Sequence, residues 1–194
     1  MHALNPILGK PSHLAVLRVL YHTEAPLSGR EVQRRANLSN RATMLALQGL
    51  VRLRVLLCEE TLSSHHYQLN PRHYLWSKGV RAALDAEGAF WDDLRKTVRR
   101  WVIPRPEAAM VTGSIAREEN AEGGVLELHF LFSGGRERLH AYRSLERLIE
   151  QIDARYALRV TATFMDMRNM DDPEFQILWR RIAREGVLLF GKLP

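Results

Sequence analysis

The stretch VTGSIAREENAEGGVLELHFLF, residues 111–132, holds the side chains best suited to chemistry. Gly113-Ser114 lies between two apolar runs, with Arg117 three residues on. A Gly-Ser turn lets backbone amides and a hydroxyl approach a phosphate closely, because glycine has no Cβ in the way. Phosphoryl transfer needs more than that. Two Mg²⁺ ions must be held by several hard carboxylate oxygens to align and neutralise the phosphates. The strand after the loop offers only Val125, Glu127 and His129 at alternate positions.

A second set of candidates is electrostatic. The 194 residues carry a formal charge of +6, and its distribution is uneven. Residues 1–76 hold nine Lys/Arg against four Asp/Glu; residues 77–194 hold 19 against 18. The positive excess therefore lies in the first two-fifths of the chain, which fits either a solvated surface or an anionic polymer as partner.

The rest of the composition mainly excludes. Hydrophobic content of 46% and charged content of 26% are ordinary for a globular protein. No apolar run reaches the roughly 18 residues of a membrane span, and no signal-peptide pattern stands at the N-terminus. A single cysteine, Cys58, excludes an intramolecular disulfide and a cysteine-based zinc cluster. A cytoplasmic location without membrane association is the expectation.

The elements that position these residues can be read from periodicity. HLAVLRVLYHTE (13–24) has a helical apolar stripe. In LSGREVQRRANLS, Ser28 is an N-cap and Glu31 stands three residues on, the pattern of a capping box, opening a helix through Ala36. Asn37-Leu38-Ser39 makes a turn. Ser39 caps a third helix, NRATMLALQGLVRL, with Ala42, Ala46, Leu47 and Leu50 facing inward. VLLCEE (55–60) and HHYQLN (65–70) read as strands joined by a TLSS tip.

Three helices followed by a hairpin, with "SGREVQRRANLS" at the turn and "YQLNPRH" closing the strands, resemble a winged helix-turn-helix domain across about residues 10–76. The resemblance implies double-stranded DNA as partner, a third helix in the major groove and a wing against the backbone. It implies base-edge contacts from Asn40, Arg41, Met44, Leu45 and Gln48, with Ser39 at the helix start. Arg30, Arg34 and Arg35 would contact phosphates, and Ser64 and His65 would serve from the wing. The tip carries no Arg or Lys, and Arg54 stands where many relatives have a helix-ending glycine. A protein-interaction surface is the rival reading of the same polar faces. The adjacent His65 and His66 point to opposite sides of a strand and do not make a metal site.

Residues 77–104 read as a helical connector. Trp76, Val80, Leu84, Phe90, Leu94, Val98 and Trp101 recur at helical spacing, with a break at Gly88 and a stop at Pro104.

Residues 105–194 read as an α+β domain. EAAMVTGS and VLELHFLF are strands, ERLHAYRSLERLIEQIDARY is an amphipathic helix, and ALRVTATFMD is a third strand. Asp172-Pro173 opens a last helix, closed by Gly186 and the strand VLLFG. This order, with Gly113-Ser114, Ala116-Arg117, Glu119 and the terminal "REGVLLFG", resembles the minimal nucleotidyltransferase fold. The family's Asp-x-Asp pair falls on Val125 and Glu127, or on Glu127 and His129. Its third carboxylate falls near Thr161 or Thr163, and Asp166 comes too late in the strand. At most one of three metal-binding carboxylates remains, so the resemblance implies a degenerate, non-enzymatic domain without metal or cofactor. Gly113, Ser114 and Arg117 are the residual phosphate- or nucleotide-binding set.

Together the resemblances imply a DNA-binding transcriptional regulator that acts as a homodimer. Its second domain would serve dimerisation, ligand sensing or partner docking. An active nucleotidyltransferase, and a protein-interaction module of a toxin–antitoxin or defence pair, remain open beside it.

Overall fold

The computed structural model describes residues 4–61, 64–117, 124–169 and 171–192. It is a mixed α+β protein with two sheets. The chain divides into two compact units, Met1–Gly88 and Ala89–Pro194. The segment read as a connector is shared between them. Its helix breaks at Ala89, one residue beyond the glycine that was expected to break it.

In the first unit, α1 (Asn5–Leu8), α2 (Pro11–Tyr21), α3 (Gly29–Ala36) and α4 (Asn40–Arg52) are followed by β2 (Leu56–Glu60) and β3 (His65–Leu69). Val16, Leu17, Leu20, Val32, Ala46, Leu47 and Leu50 pack one core with Tyr67 and Trp76. A two-residue strand β1 (Leu27–Ser28) completes a three-stranded antiparallel sheet in the order β1-β3-β2. A π-helical turn (Trp76–Val80) leads into α5 (Arg81–Gly88).

The helix starts follow from local bonds. Ser28 Oγ accepts from the Glu31 amide at 3.3 Å, and Ser39 Oγ from the Ala42 amide at 3.2 Å. The capping box at Ser28 is only half formed, because the Glu31 carboxylate turns to Arg34 and Arg35 instead. α3 ends at Asn37 in the left-handed conformation, which asparagine tolerates. Arg54 also has φ of +57°, at the position where a glycine would be the unstrained choice.

In the second unit, α6 (Phe90–Trp101) precedes a four-stranded sheet. Its strands are β4 (Ala108–Thr112), β5 (Val125–Phe132), β6 (Arg159–Asp166) and β7 (Val187–Gly191), in the order β6-β5-β4-β7. Only β5 and β6 are parallel, joined over α7 (Gly135–Tyr156). Alternation along the strands sorts the faces. Ala109, Val111, Leu126, Leu128, Phe130 and Phe164 pack under α6 and α7 through Leu94, Val98, Ala141, Leu148 and Ile152. Ala108, Met110, Leu131 and Met165 turn to the other face, beneath Ile182 of α8 (Pro173–Glu185).

Candidate functional site

Two places gather the candidate residues, one in each unit. In the first, α4 is two-sided. Thr43, Ala46, Leu47 and Leu50 are buried, whereas Asn40, Arg41, Met44, Leu45 and Gln48 are all exposed. Spacings of three and four place those five on one continuous face. Leu45, 59% exposed, stands at one edge of this face, and Met44 is a second apolar side chain on it. Asn40 and Arg41 occupy the first turn, where unpaired amides and the helix dipole attract anions. The opposite side is set by a contact that sequence reading missed. Buried His13 of α2 lies against Gly49 of α4, where a Cβ would come within 2.9 Å of its Nε2.

The arginines of α3 are not equivalent. Arg30 is exposed and lines a shallow hollow of about 440 Å³ with Gln33, Arg34, Asn37 and Leu38. Arg34 and Arg35 both bond Glu31 at 2.6 Å, and the two guanidinium groups hold its carboxyl down at about 2. On the hairpin, Ser64 Oγ lies 3.2 Å from Thr61 Oγ1, and exposed His65 lies 3.7 Å from Glu60. Ser63 lies outside the described residues. The positive excess stays with this unit: residues 1–88 hold eleven Lys/Arg against six Asp/Glu.

The second place is built around Gly113. β4 delivers Thr112 into line with Glu127, and β5 and β6 pair Glu127 with Thr161 and His129 with Thr163. These five share the α8 face of the sheet. α8 covers the apolar positions Met110 and Leu131, and the polar five continue that face toward the loop. Thr112 Oγ1 is 2.9 Å from Glu127 Oε2 and 2.8 Å from His129 Nε2. One hydroxyl has one hydrogen. Since it goes to the carboxylate, which only accepts, the histidine must donate from Nε2. Its Nδ1 lone pair is then buried, and no described residue bonds to it. Burial lowers the His129 pKa, opposed by the nearby Glu127 carboxylate and reinforced by Arg181. Protonation would also leave an N–H with no acceptor among the described residues, so the neutral ring is favoured.

Gly113 has φ of +85°, and Ser114 is half-buried beside it. A carboxylate rather than a cation sits directly under this turn. Arg117 is exposed, and Glu118 and Glu119 lie outside the described residues. Thr161 and Thr163 occupy the places opposite Glu127 and His129, so no carboxylate of β6 reaches them. Asp166 is in register with Phe132, three residues further along and on the other face. It bonds Arg168, which holds its carboxyl down at about 2. Among the described residues, no group of three His, Cys, Asp or Glu side chains is placed to hold a metal. The arrangement offers hydrogen-bond acceptors more than a phosphate cradle.

No family model matches the chain, and no curated protein matches it. Among solved structures it is similar to the crystal structure of a toxin–antitoxin with AMP-PNP. The identity is 15% over 53% of this chain and 73% of that one, with a TM-score of 0.36. It is also similar to human N-acetylserotonin methyltransferase in complex with SAM, at 17% identity over 49% of this chain and 31% of that one, with a TM-score of 0.31. Likenesses this distant carry no argument about function. No described helix is long and apolar enough to cross a membrane.

Proposed function

We propose that the chain is a sequence-specific DNA-binding transcriptional regulator. Residues 1–76 act as a winged helix-turn-helix, with α4 in the major groove and the β2–β3 hairpin as the wing. One observation carries this reading: Asn40, Arg41, Met44, Leu45 and Gln48 are all exposed on one face of a helix whose other face is buried. Arginine suits guanine edges, asparagine and glutamine suit adenine, and apolar groups meet thymine methyls. Leu45, 59% exposed on that face, can supply such an apolar contact. The net charge of the first unit supports an anionic partner.

The second unit is read as a degenerate nucleotidyltransferase-like domain that serves dimerisation, ligand sensing or partner docking. The lone Glu127 on β5, the threonines of β6 facing it and the position of Asp166 support the loss of a two-metal centre. Catalysis of phosphoryl transfer is almost wholly electrostatic and depends on those ions.

The test is selection of genomic fragments by the purified full chain, followed by salt titration of the best binder. A single sequence family whose preference over random DNA collapses in Arg41→Ala is the expected result. Weak binding that is blind to sequence would remove the regulator reading.

A further inference from the structure

The outward face of α7 divides by charge along its length. Ala141, Leu148 and Ile152 are buried. On the opposite side Arg136, Leu139, Arg143, Glu146, Glu150 and Asp153 follow one another at spacings of three and four, the repeat of a helix–helix seam. The first half of this stripe is basic and apolar; the second half is acidic. All six are exposed, and Leu139 is 63% exposed. Among the described residues no ion pair involves Arg136, Arg143, Glu146, Glu150 or Asp153, although Arg181 and Glu185 pair along α8 at 3.9 Å. Tyr142 flanks the stripe at 49% exposure.

We propose that this face is where a second copy of the chain docks, with the two α7 helices antiparallel about a two-fold axis between Arg143 and Glu146. In that arrangement Arg143 meets Glu146 of the second copy and Arg136 meets Asp153, each contact made twice because the interface is isologous. A parallel pairing would set arginine on arginine and acid on acid. The charge order therefore selects both the partner and its direction. A 22-residue helix is about 33 Å long and offers an interface at the small end of the specific range, so the dimer is expected to dissociate at micromolar concentration.

This surface supplies the two-fold arrangement that suits a palindrome-reading regulator, but its test needs no DNA. The full chain, 22.3 kDa per copy, is followed by sedimentation equilibrium from about 1 to 100 µM, the micromolar range expected of so small an interface. A dimer at low salt that weakens in high salt is expected. Arg143→Glu should raise the dissociation constant about tenfold or more, since two attractions become two repulsions. Glu146→Arg should do the same, and the double variant should restore the dimer. Circular dichroism checks that each variant keeps its helix content, and the restored double variant stands even if one single variant folds poorly. A wild-type chain that stays monomeric would overturn the proposal. So would a dimer indifferent to Arg143→Glu, or a double variant no better than the singles. A monomer that still selects one DNA sequence would remove this surface and leave the regulator reading; a charge-swappable dimer with no DNA affinity would do the reverse.

Discussion

The Glu127 side chain occupies the space that a side chain on Gly113 would need. A Cβ built at Gly113 would stand 2.8 Å from the Glu127 carboxyl carbon, and Gly113 itself has φ of +85°. The backbone conformation favours glycine, and a Cβ there would also push aside the Glu127 carboxylate, the movable end of a flexible side chain. The turn wraps a carboxylate, and a phosphate brought to Gly113-Ser114 would meet that carboxylate first.

Replacing Gly113 with alanine is expected to destabilise the second unit by more than ~1 kcal/mol, from the left-handed backbone and the displaced glutamate together. Glu127→Ala in the same chain should return part of the loss. Chemical denaturation of the four members of the cycle measures the coupling, and strict additivity would mean the two residues do not share that space.

Arg41→Ala should cost ~1–3 kcal/mol on the preferred DNA sequence, roughly five- to 150-fold in affinity, and far less on random DNA. Fluorescence anisotropy on both DNAs at one salt concentration gives the ratio. Equal losses on the two would mark Arg41 as a phosphate contact instead.

Glu31→Gln should release Arg34 and Arg35 from the carboxylate that engages both. Binding to random DNA is expected to tighten, and the logarithmic salt dependence to steepen by up to about two counterions. In the wild type the folded-state pKa of Glu31 lies below its ordinary value of 4.5, at about 2. Its contribution to stability is thus complete above pH 4.5 and is lost as pH falls toward about 2. The variant should abolish that segment of the acid-unfolding curve and be less stable than the wild type above pH 4.5, the two converging as pH falls toward about 2.

His13 and His129 are both buried, and burial lowers both pKa values below the ordinary 6.5. Below pH 6.5 the unfolded chain binds these protons more readily than the folded one. Stability should therefore fall as pH drops from 6.5 toward the folded values, and level off above 6.5. His13 faces Gly49 and, through space, Lys10; His129 faces Glu127 and Arg181. Denaturant midpoints at pH 5 and pH 8 should converge in the first unit for His13→Leu and in the second for His129→Leu. Unchanged pH dependence in either variant would clear that histidine.

The sequence by itself determined the starts of α3, α4 and α8, whereas α1 is not legible in it and α2 runs Pro11–Tyr21 rather than 13–24. Ser28, Ser39 and Asp172 cap because each bonds an amide two or three residues ahead, and such bonds depend on nothing distant. Alternation in VLELHFLF likewise set which residues of β5 turn to each face. Tertiary structure decided what depends on partners remote in the chain. The two-residue β1 exists only because β3 pairs with it, which two residues could not announce. Glu31 left its capping box because two arginines one turn later offered a stronger field than a backbone amide. Gly49 packs on His13 from 36 positions away, and Gly113 lies over a glutamate delivered by the neighbouring strand. The parallel pairing of β5 and β6 put Thr161 and Thr163 opposite Glu127 and His129 and carried Asp166 beyond them. Local bonds are written in adjacent residues; registers and close approaches are settled only when the chain folds back and excludes water from between its segments.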